Sequence, residues 1–384
     1  MLTTAIFPNR YVQGAGALSV LGEEAARLGK RALVLEDPMV AKTLSAEIDA
    51  ALSGQVSATV ECFNGECCDR EIDRLKDIVN RQGAEVVVGI GGGKTLDTAK
   101  AVAHASRIPV VIVPTLASTD APCSALAVIY TETGAFDRYL ILPKNPDAVL
   151  VDTSVIARAP ARFLSSGMGD ALSTWFEAES CRVKQAGNMT GRLGTMTAYA
   201  LAKLCFDTLM DYGPLSLRAA EAGAVTPALE RIVEANTLLS GLGFESGGLG
   251  ACHAIHNGLT VLPQTHGYWH GEKVTIGVLA ALFLTDQPPA MIDRVFGFCE
   301  AVNLPTTLAD IGLEEITEAE LMRVAEAACA AGETIHNEPH EISPMVVAGA
   351  LKTADSEGRR RKEAARAGKH SASAESSRWH LMVA

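Results

Sequence analysis

Between residues 31 and 151 the sequence alternates short β-branched runs with helical text, and this alternation constrains the fold more than any other feature. Residues 31–35 (RALVL) read as a buried strand, followed by helical text over 40–52. Residues 56–62 predict a second strand, 71–83 a helix and 85–90 (EVVVGI) a third strand. A helix over 95–105 leads to a fourth strand at 109–113 (PVVIV). Strands that are apolar throughout must be covered on both faces, and parallel neighbours need a crossover, usually a helix. Residues 1–155 are therefore expected to form an α/β domain around a parallel, Rossmann-like sheet. Residues 126–130 and 139–142 add a hairpin, and 148–151 a last strand.

Past residue 155 the strand text stops. Helices are predicted over 161–181, 189–212, 225–240, 248–262, 273–284, 289–302, 318–331 and 344–358. With 384 residues the chain exceeds one ordinary core, so a second, all-α domain over 156–361 is expected. Residues 362–384, rich in Ala, Ser and Lys, read as a flexible tail. Substrate sites commonly lie between two such domains.

A formal net charge of −12 repels nucleic acid and anionic membrane surfaces, so neither is an expected partner. The basic cluster Arg359-Arg360-Arg361-Lys362 reads as a solvated helix face. No apolar stretch reaches the roughly 18 to 20 residues of a membrane span. The nine cysteines contain no CxxC pair, which argues against a cysteine-based zinc site. Scattered thiols and the lack of a signal-peptide pattern lead to a cytoplasmic expectation.

The segment Gly89-Ile90-Gly91-Gly92-Gly93-Lys94-Thr95 follows a strand and opens a helix. Backbone N–H groups at a helix N-terminus suit a pyrophosphate. Neither standard phosphate fingerprint fits, because Val88 and Lys94 stand where GxxxxGK[ST] and GxGxxG require glycine. Asp37 ends the first strand. It can accept hydrogen bonds from an adenine ribose and repel a 2′-phosphate, favouring NAD over NADP. It can equally cap a helix, since Pro38 follows.

Three polar segments interrupt the apolar helical text: residues 166–172 around Asp170, 252–258 with His253 and His256, and 270–274 led by His270. One carboxylate and two imidazoles form a standard ligand set for a catalytic divalent metal, with a coordination position left open. His253 and His256, three apart on a helix, share one face. A buried histidine is nevertheless more often a hydrogen-bonded core residue than a ligand, and spacing alone does not select the trio. HExxH is absent, so a zincin protease is not expected.

Six segments, in order, carry a resemblance. They are GGGKTLDTAKAVA (91–103), VPTLASTDAPCSALAVIY (113–130), SGMGDALSTW (166–175), the long run 225–260, HGEKV (270–274) and GETIHNEP (332–339). Over residues 8 to 358 the chain resembles the glycerol dehydrogenase branch of the iron-containing (group III) alcohol dehydrogenase superfamily. The fold implied is the one shared with dehydroquinate synthase. The resemblance implies that Asp170, His253 and His270 bind the metal, which is usually zinc rather than iron in this branch. It implies Asp37 for the cofactor ribose and Gly92, Gly93, Lys94 and Asp97 for the phosphates. It further implies Thr115, Ser118, Ser124, Leu126 and Tyr130 around the nicotinamide and its ribose. Asp120 would hold a substrate hydroxyl, and His256 would stand in the cleft near the cofactor. A homo-oligomer, usually an octamer, is also implied. Cys123 stands where many relatives carry Thr, and the stretch after Arg361 fits no part of the pattern.

The expected reaction is reversible, NAD-dependent oxidation of glycerol to dihydroxyacetone by hydride transfer, assisted by the metal as Lewis acid. The rivals are oxidation of another small diol or alcohol (1,2-propanediol, 2,3-butanediol), a dehydroquinate synthase-like lyase and a non-enzymatic NAD sensor. The lyase would need a Lys and Arg cluster for a phosphate or phosphonate, and the helical segments show none. The sensor would not need all three ligands.

Overall fold

A computed structural model describes residues 2–382, with side chains through residue 367. The chain divides into two compact units, Met1–Leu249 and Gly250–Ala384. The sequence-based boundary near residue 155 marks where strands give way to helices, whereas the compact division falls later and leaves several helices with the sheet.

In the first unit six strands form one sheet: β1 (Tyr11–Gly14), β2 (Arg31–Glu36), β3 (Ser57–Cys62), β4 (Val86–Gly91), β5 (Val110–Pro114) and β8 (Ala148–Asp152). Their order is β1-β8-β5-β4-β2-β3, and every pairing is parallel. A separate antiparallel hairpin joins β6 (Leu126–Tyr130) and β7 (Phe136–Ile141). The apolar runs behave as their composition requires: β4, β5 and β8 are buried at every residue, while the edge strand β3 is not. Val34, Val88, Ile90, Val113 and Leu150 share one core with Leu18, Leu21 and Ile48. Each such side chain contributes about 1.5–3 kcal/mol on burial. β1 is too short and too polar (YVQG) to be read from the sequence, and its pairing with β8 is what makes it a strand.

Helical text over 40–52 becomes two helices, Pro38–Thr43 and Ser45–Leu52, with Leu44 between them. The helix expected over 189–212 instead runs Met196–Glu221 and passes through Pro214. Thr195 sets its start by accepting a hydrogen bond from Ala198 N at 3.2 Å, a cap the apolar periodicity does not reveal. The helix expected over 225–240 is Pro227–Glu234. It continues through a π-helical turn, Ala235–Leu239, into Ser240–Gly247.

The second unit is all helical among the described residues. Its longer helices are Ala251–Leu259, His270–Leu284, Pro289–Ala301, Glu318–Ala328 and Pro344–Met382. Two glycines let the first of these pack closely. A Cβ on Gly277 would lie 2.2 Å from the Cys252 carbonyl, and one on Gly258 would lie 2.4 Å from that of Val324. The last helix takes in most of the stretch expected as a tail. Lys362 pairs there with Asp310, and residues 383 and 384 lie outside the described residues. No described helix is long and apolar enough to cross a membrane.

Candidate active site

The sheet order reverses beside β2. From β2 the chain steps outward to β3, returns to β4 on the other side, and moves on to β5. Ligands of open parallel sheets bind outside the carboxyl ends of the strands at such a switch point. The residues at those ends are Asp37, after β2, and the glycine loop, after β4. The N–H of Asp37 donates to the Ile90 carbonyl at 3.0 Å, which ties the two ends together. A Cβ on Gly91 would come within 2.7 Å of the Asp37 Cβ, so only glycine lets the loop pass. Gly89 acts further back: its missing Cβ would meet Ala99 at 2.4 Å, so the helix Gly93–Ser106 lies close on β4. Gly92 is the N-cap of that helix, and nothing lies within 4 Å of where a Gly93 Cβ would be. The N-terminal N–H groups are thus open to an anion.

Asp37 also caps the helix Pro38–Thr43, accepting from Met39 N at 2.8 Å. Both sequence readings of Asp37 place it at this strand end, and the cap is the one seen in the hydrogen bonds. Lys94 is half exposed. Its Nζ donates to Glu66 Oε2 at 2.6 Å and stands 4.6 Å above the centre of the Tyr130 ring. Burial pushes the Tyr130 hydroxyl up to about 12. Asp97 is buried inside the helix. It accepts from Val128 N at 2.9 Å and pairs with Lys100 at 3.3 Å, so it anchors β6 and does not face the helix terminus. Burial raises its pKa, and Lys100 opposes that rise.

From β5 the chain enters a loop that carries Thr115, Ser118 and Asp120. Thr115 N donates to the Gly91 carbonyl at 3.1 Å, joining this loop to the glycine loop. The Ser118 carbonyl accepts from Ser166 Oγ at 3.4 Å. Asn236, in the π turn, donates to the carbonyls of Ala117 (3.0 Å) and Leu164 (3.2 Å). The helix Ala161–Lys184 approaches the same loop through Gly167, where a Cβ would stand 1.9 Å from the Ala117 oxygen.

That approach places Asp170 beside Asp120. Asp170 is fully buried, and its Oδ2 accepts from Asp120 N at 3.1 Å. Asp120 does not cap the following turn Ala121–Cys123; its Oδ2 accepts from Ser240 Oγ at 2.8 Å, and Ser240 shares a 2.8 Å bond with Thr174. Ser124 is buried, with its hydroxyl on the Ala121 carbonyl at 3.0 Å, while Leu126 and Tyr130, both half-buried, open and close β6. Glu245 supports this segment from behind. Its carboxylate accepts from Ala125 N at 2.6 Å and from Asn145 Nδ2, and burial lifts its pKa to about 7.

In the second unit the helix Ala251–Leu259 carries His253 and His256, and His270 opens the next helix. The His270 ring centre is 5.6 Å from that of His253 and 4.3 Å from that of His256. Two side chains fix these helix starts. Glu338 accepts from Ala251 N at 2.7 Å, and Glu272 accepts from Trp269 N at 2.9 Å. Burial holds the His256 imidazole well below its ordinary pKa, with smaller effects from His270, His253 and Lys273, so it stays neutral. Its Nδ1 lies 3.1 Å from Asn257 Oδ1. Among the described residues, the ligand atoms of Asp170, His253 and His270 all lie within 4.8 Å of one another. An oxygen and two imidazole nitrogens suit a divalent transition-metal ion, zinc and iron included.

A profile of iron-containing alcohol dehydrogenases matches residues 8–153. The glycerol dehydrogenase of Thermotoga maritima is 64% identical over 362 residues, which cover 94% of this chain and 99% of that one. The chain belongs to the iron-containing alcohol dehydrogenase family. The glycerol dehydrogenase of Citrobacter freundii is 51% identical, with 92% of this chain and 98% of that one covered. The crystal structure of a probable glycerol dehydrogenase from Sinorhizobium meliloti superposes with a TM-score of 0.88 at 48% identity, over 94% of this chain and all of that one. Membership makes the protein an oxidoreductase, which sets aside the lyase and the sensor. It also accounts for the α/β sheet unit with helices following.

The residues that sequence reasoning missed are Lys100, Asn236, Ser240 and Glu245. Each holds backbone or another side chain. A polar residue inside apolar helical text was the available signal, as in Leu242-Gly243-Phe244-Glu245. Its partners, 119 residues away for Asn236 and 120 for Ser240 and Glu245, are invisible along the chain.

Proposed function

We propose that this protein catalyses the reversible oxidation of glycerol to dihydroxyacetone by NAD+, with one divalent metal ion, zinc, on Asp170, His253 and His270. The observation that supports the reading is the hydrogen bond from the backbone N–H of Asp120 to Asp170 Oδ2, which ties the loop proposed to orient substrate to the proposed ligand Asp170. The metal would act as a Lewis acid that brings the alcohol's ionisation toward neutral pH. Asp120 accepts a hydrogen bond from the hydroxyl next to the reacting carbon. Asp37 accepts from the adenine ribose, and the N–H groups of Gly92 and Gly93, with Lys94, hold the pyrophosphate. Thr115, Ser118, Ser124, Leu126 and Tyr130 line the nicotinamide half, with Asp97 holding β6 in place. Bound NAD+ would supply the acceptor for the hydride of the secondary carbon, with the hydroxyl proton lost to solvent. Neutral His256 stands on the cofactor side without a charge to oppose NAD+.

Supporting this reading are the relatives named for glycerol, of which the chain covers nearly the whole length. The same support leads us to propose a cytoplasmic homo-oligomer, an octamer, measurable by light scattering. The deciding experiment is steady-state turnover of the zinc-loaded protein with NAD+ and glycerol, 1,2-propanediol, 2,3-butanediol or 2-propanol. Glycerol should give the highest kcat/KM. A higher value for another diol would replace glycerol as substrate and leave the site assignment standing.

A further inference from the structure

Lys100 lies in the helix Gly93–Ser106, three residues after Asp97, and its side chain is fully buried. Lysine is almost never buried so completely unless it is paired. Its Nζ donates to the Ala121 carbonyl at 2.7 Å and the Leu126 carbonyl at 2.9 Å, and lies 3.3 Å from Asp97 Oδ1 and 3.5 Å from Ser124 Oγ. An ammonium has three hydrogens. Two go to the carbonyls, and the third is shared by the carboxylate and the hydroxyl. The carbonyls belong to the two ends of the segment 121–126. Glu245 also accepts from Ala125 N at 2.6 Å, and Asn145 donates to the Cys123 carbonyl at 2.9 Å. Lys100, Glu245 and Asn145 each hold backbone of the segment, so together they set its path, and Ala121 and Leu126 at its two ends are its part-exposed residues.

A buried ion pair is a poor device for stability, since apolar groups of the same volume usually do as well or better. Charge-assisted hydrogen bonds in a dry site do fix geometry. We propose that Lys100 is a positioning residue for hydride transfer: its ammonium sets the backbone of 121–126, against which the nicotinamide half of the cofactor rests. The proposal rests on the cofactor reading of this loop given above. It separates the two halves of the dinucleotide, because Asp37 and the glycine loop serve the other half and do not touch Lys100's carbonyl partners.

The test is the double variant Lys100→Met/Asp97→Asn, which keeps both stems and leaves no buried charge unpaired. ADP-ribose binding is measured by calorimetry, NADH binding by fluorescence titration, and kcat and KM by steady-state kinetics. ADP-ribose should bind within about twofold of wild type, while kcat falls by about tenfold to a hundredfold, the range for misplacement on the ångström scale. NADH should weaken by more than ADP-ribose does. Equal effects on both ligands, or kcat unchanged, overturn the proposal. Hydrogen exchange on the wild-type enzyme decides independently if the variant does not fold. NADH should slow exchange at Ser124 to Leu126 and ADP-ribose should not, and equal protection by the two overturns the proposal. Wild-type enzyme that binds no ADP-ribose would refute the dinucleotide reading itself, and this proposal with it.

Discussion

The backbone N–H of Asp120 donates to Oδ2 of Asp170 across 3.1 Å, so a loop that follows a sheet strand is locked to the middle of a buried helix. The Asp120 carboxylate is held separately, by Ser240. Asp120→Asn keeps the N–H bond and the shape but removes the charge. A charge-assisted bond to a substrate hydroxyl is worth about 1.5–3 kcal/mol, so kcat/KM for glycerol should fall by about one to two orders of magnitude. Turnover of 2-propanol, which has no second hydroxyl, should change little. Equal losses on both substrates would rule out hydroxyl binding by Asp120.

Metal content tests the proposed ligand trio of Asp170, His253 and His270. Purified protein should carry about one divalent ion per chain and lose activity to a chelator, with recovery on adding zinc. His270→Ala should lower both metal content and kcat by at least about tenfold, the loss that even changes outside the ligand shell can cause. Elemental analysis beside kinetics checks this, and full activity in metal-free protein would defeat it.

Asp37 caps a helix and is proposed to receive the cofactor ribose, and two substitutions separate the two roles. Asp37→Ser keeps a capping oxygen for Met39 N and removes the charge, so the preference for NAD+ over NADP+ should narrow at nearly constant Tm. Asp37→Ala loses the cap as well and should cost about 1 kcal/mol of stability. An enzyme that prefers NADP+ before any change would refute the ribose assignment.

Glu245 links stability to pH. Burial raises its folded pKa to about 7 from an ordinary 4.5, so the folded state binds this proton more tightly than the unfolded state does. Its contribution to stability is full below about 4.5 and is lost as pH rises through about 7. Melting curves from pH 4.5 to 8 should therefore decline more steeply for wild type than for Glu245→Gln. Parallel curves would show that the carboxyl titrates normally.

The sheet was legible because β2, β4, β5 and β8 are apolar at nearly every residue, and no other arrangement buries such runs on both faces. The glycine loop was legible because it stands between a strand and a helix. The metal trio was not legible from spacing. Asp170 is 83 residues from His253, and only the resemblance drew the three together. Asp97 shows another limit: the resemblance implies it for the phosphates, and its carboxylate is found on Lys100 and on Val128 N of β6. Direction around a helix, with polar residues on several faces, is not written in a matched segment such as 91–103. β1 and the late start of the helix Met196–Glu221 depend on a pairing partner and a cap, which local periodicity does not encode.

The π turn at Ala235–Leu239 makes the chain's length here uneven in its tolerance. A π turn holds one more residue than the α turn it replaces, so the helical segments on either side keep their register whether or not the extra residue is present. A single-residue deletion inside Ala235–Leu239 can therefore be absorbed, at the cost of whichever grip it removes, that of Asn236 on Ala117 or that of Thr237 on Tyr11. A deletion one turn later has no such slack. It would rotate the remainder of the helix by about 100° and carry Glu245 away from Ala125. Gene variants that differ by one codon should survive within the π turn and fail just beyond it.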